Sequence, residues 1–132
     1  MNYLLDTDVC IAIINRRSSQ TISRLQICKP GTVELSTISV AELRFGADKS
    51  QAATKNHQAL DQFLLALEIR QFDELSAIAY GVIRSDLEKK GTPIGPLDTL
   101  IAAQAVAHEL ILVTNNLNEF SRVKNLNVES WI

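Results

Sequence analysis

Several things are scarce in this sequence, and each scarcity narrows the classes of protein it can encode. An excess of positive charge is missing: 13 Lys and Arg stand against 15 Asp and Glu, a formal net charge of −2 over 132 residues. Sequence-independent binding along duplex DNA relies on a cationic surface that releases counterions, so the balance argues against that mode. Nucleic acid as a substrate stays open, because a local cationic rim or a bound metal supplies what net charge does not. Cysteine is sparse. Cys10 and Cys28 form neither a CxxC pair nor a disulfide framework, and both lie in apolar-periodic segments, so they read as buried thiols of a reducing compartment. No apolar run approaches the roughly 20 residues of a membrane span. Met1 to Leu5 lacks a basic leader region, and Asp6 and Asp8 interrupt the apolar start, so no secretory signal is expected. The expectation is a cytoplasmic protein with no membrane partner. Repeats, low-complexity stretches and linkers are missing too. What is present is ordinary for a globular domain: 46% hydrophobic and 21% charged residues. That is too apolar for disorder and suits a single domain over residues 1–132.

The apolar pattern alternates between short runs and helical periods. Tyr3-Leu4-Leu5 reads as a buried strand, and Asp8 to Asn15 as a helix through Val9, Ile11, Ala12 and Ile13. A helix over Gln20 to Cys28 is ended by Pro30-Gly31, and Thr32 to Ser36 reads as a strand. Ser39 is placed to cap a helix through Ala47, with Glu42 at the capping-box position. A long amphipathic helix is expected over Ala52 to Leu67, a strand over Ile69 to Phe72, and a helix from Ser76 to Lys90 that stops at Gly91. Gly95-Pro96 opens a small, apolar helix, Ile111-Leu112-Val113 is a fully apolar strand, and Asn127 to Trp131 reads as an edge strand. Short buried strands alternating with helices predict an α/β fold with a central, mostly parallel sheet covered on both faces.

Such sheets bind ligands beyond the carboxyl ends of their strands, where the strand order reverses. Asp6, Thr7 and Asp8 follow the first strand; Thr114, Asn115 and Asn116 follow the Ile111 strand, with Glu119 a turn later. Glu42 lies on the helix after the second strand, and Asp98 starts the helix before the Ile111 strand. Taken singly, each acid has a plain structural explanation. Asp6 suits an N-cap, Asp98 the positive end of a helix dipole, Glu42 the Ser39 capping box, and Glu119 a solvated surface. Gathered in one pocket, the same acids repel one another and raise each other's pKa unless a cation sits among them. Hard oxygen ligands with room for water suit Mg²⁺ or Mn²⁺, which can activate a bound water and stabilise a phosphoryl oxygen.

At this point the sequence resembles a known family. Tyr3-Leu4-Leu5-Asp6-Thr7-Asp8, Ser39-Val40-Ala41-Glu42-Leu43-Arg44-Phe45-Gly46, Gly91 through Pro96-Leu97-Asp98-Thr99 to Ala103, and Val113-Thr114-Asn115-Asn116-Leu117-Asn118-Glu119-Phe120 follow in the order seen in PIN-domain ribonucleases of the VapC type, the toxins of bacterial toxin–antitoxin pairs. The resemblance implies a three-layer PIN-like domain and Mg²⁺-dependent endonucleolytic cleavage of single-stranded or loop regions of RNA, which inhibits translation. It makes the initiator tRNA anticodon loop the expected target. It also implies a homodimer held in a hetero-oligomer with a VapB-type antitoxin, whose tail covers the active site. Asp6, Glu42 and Asp98 match the family's acidic positions and become the expected metal ligands. Many relatives carry Asp where this chain has Asn116, and Asn where it has Asp8. Asn116 can orient a water but holds no charge, so Glu119 is the candidate to supply it. Thr7 and Thr114 are candidates to hold the ligands in place.

Rival readings remain beside it. Asp6-Thr7-Asp8 also resembles the DxD of haloacid-dehalogenase-type phosphatases, with Asp6 as nucleophile, but the chain lacks room for a usual cap and a well-placed Lys. A receiver domain also wants a Lys after the Ile111 strand, where none stands. An inactive PIN-like protein-binding module is the non-enzymatic alternative; the intact acids speak against it. No GxSxG elbow supports a serine hydrolase, and His57 and His108 lack ligand-spaced partners. Lys89, Lys90, Arg16, Arg17, Arg122 and Lys124 read as solvated charges or as a phosphate-binding rim, and Arg44 as the partner of an acid or of RNA. The apolar early helices and Phe45 read as core or as a partner groove.

Overall fold

A computed structural model describes residues 1–132. Its elements run β1 (Tyr3–Leu5), α1 (Thr7–Ile14), α2 (Ser19–Gln26), β2 (Val33–Ser36), α3 (Thr37–Lys49), α4 (Ala53–Leu64), β3 (Glu68–Arg70), α5 (Glu74–Lys89), α6 (Pro96–Ala107), β4 (Ile111–Val113), α7 (Leu117–Phe120) and β5 (Asn127–Glu129). The five strands form one sheet in the order β3-β2-β1-β4-β5, and every pairing is parallel. The expected mostly parallel sheet is thus wholly parallel, and its Asn127 edge strand exists.

Strand alternation divides the core. Leu4 and its register partner Leu112 face one side, with Ile83, Leu87, Ile101 and Phe120. Leu5 and its partner Val113 face the other, with Val9, Leu35, Leu43, Leu60 and Trp131. Helices α5 and α6 therefore cover one face, and α1, α3 and α4 the other, which gives three layers. Burying each such side chain contributes about 1.5–3 kcal/mol. Helix α6 is largely apolar because it lies between α5 and the sheet; Ala102 and Ala103 are fully buried and keep that approach close, and the buried Gln104 donates to Arg70 O and Gln71 O at 3.0 Å.

Several boundaries differ from the sequence reading. Ser36, not Ser39, caps α3, accepting from Ile38 N at 3.0 Å. Ser39 is buried inside the helix, so the Ser39–Glu42 capping box does not form. Helix α4 ends at Leu64 and β3 covers Glu68–Arg70, because the chain must turn back before the edge strand. The short α7 had no periodic signal, being one turn long. Asp73 caps α5 through Ser76 N. The apolar early helices divide their roles: Val9, Cys10 and Ile13 are core, whereas Ile27 and Phe45 are 74% and 65% exposed.

One buried charge lies in the sheet. Glu34 on β2 accepts from Arg70 Nε and from Asn2 Nδ2 (2.8 Å for the latter). Burial pushes its carboxyl up, but those two bonds hold it below its ordinary value. No helix is long and apolar enough to cross a membrane.

Candidate active site

Strand order reverses between β1 and β4, since β2 and β3 lie to one side of β1 while β4 and β5 lie to the other. Asp6 follows β1 and Thr114 follows β4, so both stand at the mouth of this crevice. Asp6 N extends the ladder by donating to Val113 O at 2.9 Å. The Asp6 side chain is 4% exposed. It occupies the N-cap position of α1, yet no N–H of the first turn makes a capping bond to it. Its oxygen instead accepts from Thr114 Oγ1 at 2.7 Å. Burial raises the Asp6 pKa, the Thr114 bond and the nearby Thr7 and Asp8 amides work against that, and the charge of Asp8 adds to it. The α1 amides therefore act on Asp6 without a formed capping bond, and Thr114 is the partner that fixes it.

Glu42 is held from a different direction. Thr7 Oγ1 lies 2.8 Å from both Ser39 Oγ and Glu42 Oε1. Each hydroxyl has one proton, so the bonds run from Ser39 to Thr7 to Glu42. The first turn of α1 thus orients an acid on α3. Thr114 plays the matching part across the crevice, bonding Asp6 and accepting from Asn116 N at 3.0 Å. Both threonines make the kind of bond their positions suggested.

Glu119 is not a free surface charge. It accepts from Gly95 N at 3.1 Å and from Asn116 Nδ2, so it ties α7 to the start of α6. Asn116 and Glu119 act as one hydrogen-bonded pair. The Gly95 amide that anchors this pair carries no sequence signal of its role. Asp98 stands in the first turn of α6, its Oδ2 3.5 Å from where a side chain on Gly95 would begin. Burial first, then the charges of Asp6, Glu119, Glu42 and Asp8, push the Asp98 carboxyl up to about 6. Acids from α1, α3, α7 and the end of β1 therefore all act on Asp98 at the start of α6.

The donor set fits a hard divalent cation, since every charged group is a carboxylate and they repel while nothing positive lies among them. No three of the protein's His, Cys, Asp and Glu side chains are close enough to enclose a metal ion alone.

The remaining candidates have partners. Arg44 donates to Asp61 at 2.6 Å and lies 3.0 Å from His57 Nδ1, while His57 Nε2 lies 2.7 Å from Asp48. This ladder fastens α3 to α4. His108 Nε2 lies 2.8 Å from Asp73. Lys90 and Lys124 both face Asp86, at 3.1 and 3.5 Å. Arg122 donates to Pro93 O at 3.3 Å, whereas Arg16, Arg17 and Lys89 are exposed.

Comparison with known proteins gives the family and the fold. The PIN domain family matches residues 3–126. Ribonuclease VapC2 of Rickettsia felis is 42% identical over 132 residues, covering 99% of this chain and 98% of the relative. The tRNA(fMet)-specific endonuclease VapC of Salmonella typhimurium is 37% identical over 131 residues, covering 99% and 98%. The crystal structure of Rickettsia felis VapBC2 bound to a promoter DNA fragment superposes with a TM-score of 0.95 at 41% identity, covering 100% of both chains. DNA-bound VapBC of Salmonella typhimurium gives 0.95 at 36% identity, covering 100% and 99%. A wholly parallel sheet with carboxylates at its switch point is the arrangement of a PIN-type nuclease, and the family match selects that class. The chain belongs to the VapC ribonucleases of the PIN-domain family. Metal dependence is general among PIN-domain ribonucleases.

Proposed function

We propose that this protein is the toxin of a type II toxin–antitoxin pair, a cytoplasmic Mg²⁺-dependent endoribonuclease that cuts a single-stranded loop of RNA. The observation that carries the reading is Asp6: a carboxylate buried at the switch point, bonded to Thr114 with no formed capping bond, near acids from other elements. A phosphatase nucleophile would need a Lys beside it, and no cation neighbours Asp6. Two relatives, from Salmonella typhimurium and Shigella flexneri, are tRNA(fMet)-specific endonucleases, which supports the initiator tRNA as target.

Asp6 and Asp98 would hold the metal as a pair, and Glu42 would reach it through water. A Mg²⁺ ion, with Mn²⁺ as an alternative, supplies charge stabilisation for the phosphodiester in flight and a more acidic water. Thr114 fixes the Asp6 carboxylate, and the Ser39–Thr7 chain fixes Glu42, so neither acid must reorganise during the reaction. Glu42 orients the attacking water and takes its proton. Glu119 and Asn116 position the entrance of α6, and with it Asp98. No side chain forms a covalent intermediate.

An apolar groove of about 240 Å³ lies between α1, α3 and α4, lined by Ile11, Ile14, Leu43, Ala47 and Leu60, with Glu42 at its polar end. A VapB-type antitoxin segment laid there would reach the acid pocket and cover it. The toxin is read as a homodimer within that hetero-oligomer. Mapping RNA 5′ ends after a short induction, for the native protein and Asp6→Asn, tests the reading. A discrete new end with the native protein alone is expected. Identical end profiles for the two would overturn it.

A further inference from the structure

On the other side of the α6 entrance, a second cavity of about 220 Å³ is lined by Tyr80, Arg84, Leu87 and Glu88 of α5, the Glu88 carboxylate being neutralised by Arg84, and by Pro93, Ile94, Pro96 and Thr99. This is smaller than the roughly 300–1,000 Å³ typical of drug-sized ligand pockets. Thr99 is the residue after Asp98, and Pro96 follows the Gly95 amide that binds Glu119. Cavity and acid cluster thus share the first turn of α6. One wall is an aromatic ring with a guanidinium against it: Arg84 Cζ lies 6.0 Å from the Tyr80 ring centroid, and Nη1 donates to Tyr80 Oη at 3.0 Å. Arg84 Nε donates to Glu88 Oε1 at 3.0 Å, which fixes the plane of the guanidinium. Nη2 has no partner in the protein. The facing wall is Pro93, Ile94 and Pro96, apolar and stiff.

We propose that this cavity receives one unpaired nucleobase of the RNA substrate, adjacent to the scissile phosphate. Single-stranded RNA is recognised by stacking splayed bases on aromatic rings and Arg planes, which is the chemistry of this wall. Arg84 Nη2 is free to donate to a base oxygen or ring nitrogen. An Arg–Tyr–Glu row on a helix surface is by itself unexceptional. The concave apolar wall opposite it and the shared turn with Asp98 are what make it a subsite. The inference rests on the ribonuclease reading, and it adds that a base next to the cut, not the phosphate alone, helps select the site.

The test compares native protein, Tyr80→Ala, Tyr80→Leu and Tyr80→Phe on a short single-stranded RNA that the native protein cleaves once. A series of the same RNA lacks one base at each position in turn. Tyr80→Leu keeps apolar packing of α5 without an aromatic face, so it remains informative if Tyr80→Ala folds poorly. Expected is a rise in KM of roughly tenfold or more for both, with a smaller change in kcat, and recovery of most of that loss by Tyr80→Phe. Removing one particular base beside the cut should raise KM in the native protein and leave the variants nearly indifferent. Native cleavage with unchanged KM in Tyr80→Leu would overturn the subsite while leaving the ribonuclease reading intact. Variants that cleave normally but escape antitoxin inhibition would assign the cavity to the protein partner and overturn it too. Failure of the native protein to cleave any RNA would overturn both.

Discussion

Replacing Asp98 by Asn should stabilise the metal-free protein while abolishing its activity. Burial, then the charges of Asp6, Glu119, Glu42 and Asp8, push the Asp98 carboxyl up from its ordinary 3.8 to about 6. At about 1.4 kcal/mol per pH unit, the charged form carries a penalty of up to about 3 kcal/mol in the folded state. Solvent reaches part of the side chain, so screening lowers this to about 1–2 kcal/mol. The sign follows from linkage. Between the two pKa values the folded state binds the proton more tightly than the unfolded one, so stability falls as pH rises through that window. Above about pH 6 the whole penalty is present; below about pH 4 it vanishes. Asn has the same shape and no charge, so in excess chelator at pH 7.5 its Tm should exceed the native value by about 3–8 °C. The difference should shrink towards zero as pH is lowered through the window. Added Mg²⁺ should raise the native Tm and leave Asp98→Asn unmoved. Thermal melts followed by circular dichroism, with and without chelator, read all three effects. An Asp98→Asn protein less stable than native in chelator at pH 7.5, or a gap that does not depend on pH, would refute the argument that these acids strain the empty pocket.

Other outcomes follow from the same contacts. Asp6→Asn should fold and lose RNA cleavage; full nuclease activity in the purified variant would remove Asp6 from the chemistry. Thr114→Val removes the bond to buried Asp6 and should weaken Mn²⁺ binding by roughly tenfold or more, read by calorimetry, with the fold kept. Arg70→Met leaves Glu34 buried without its cation, and should destabilise the protein by roughly 2–4 kcal/mol in urea unfolding at neutral pH. Because the Glu34 pKa is lowered, that loss should fade as pH falls through its folded pKa. Leu43→Ala, between core and groove, should cost about 2–3 kcal/mol in stability and weaken antitoxin inhibition in co-expression; unchanged inhibition would move the antitoxin off this groove.

The alternation of short apolar runs with helical periods was enough to specify a parallel, doubly covered sheet, because backbone pairing and burial on both faces act through local pattern. The same pattern placed Asp6 and Thr114 at strand ends. Their meaning was not local. From sequence alone Asp6 is equally a helix cap and Glu42 equally half of a capping box, since a carboxylate before an apolar period suits both. Only the folded chain shows that Ser36 takes the cap, that Ser39 and Thr7 turn to Glu42, and that Thr114, 108 residues away, claims Asp6. The pairing of Asn116 with Glu119 and its anchor on the Gly95 amide joins segments with no common periodicity. The near absence of net charge likewise takes its meaning from the fold. The count of −2 is fixed by the sequence. Its concentration of carboxylates at one crevice is decided by strand order, because only the reversal between β1 and β4 brings those distant acids within reach of each other's fields.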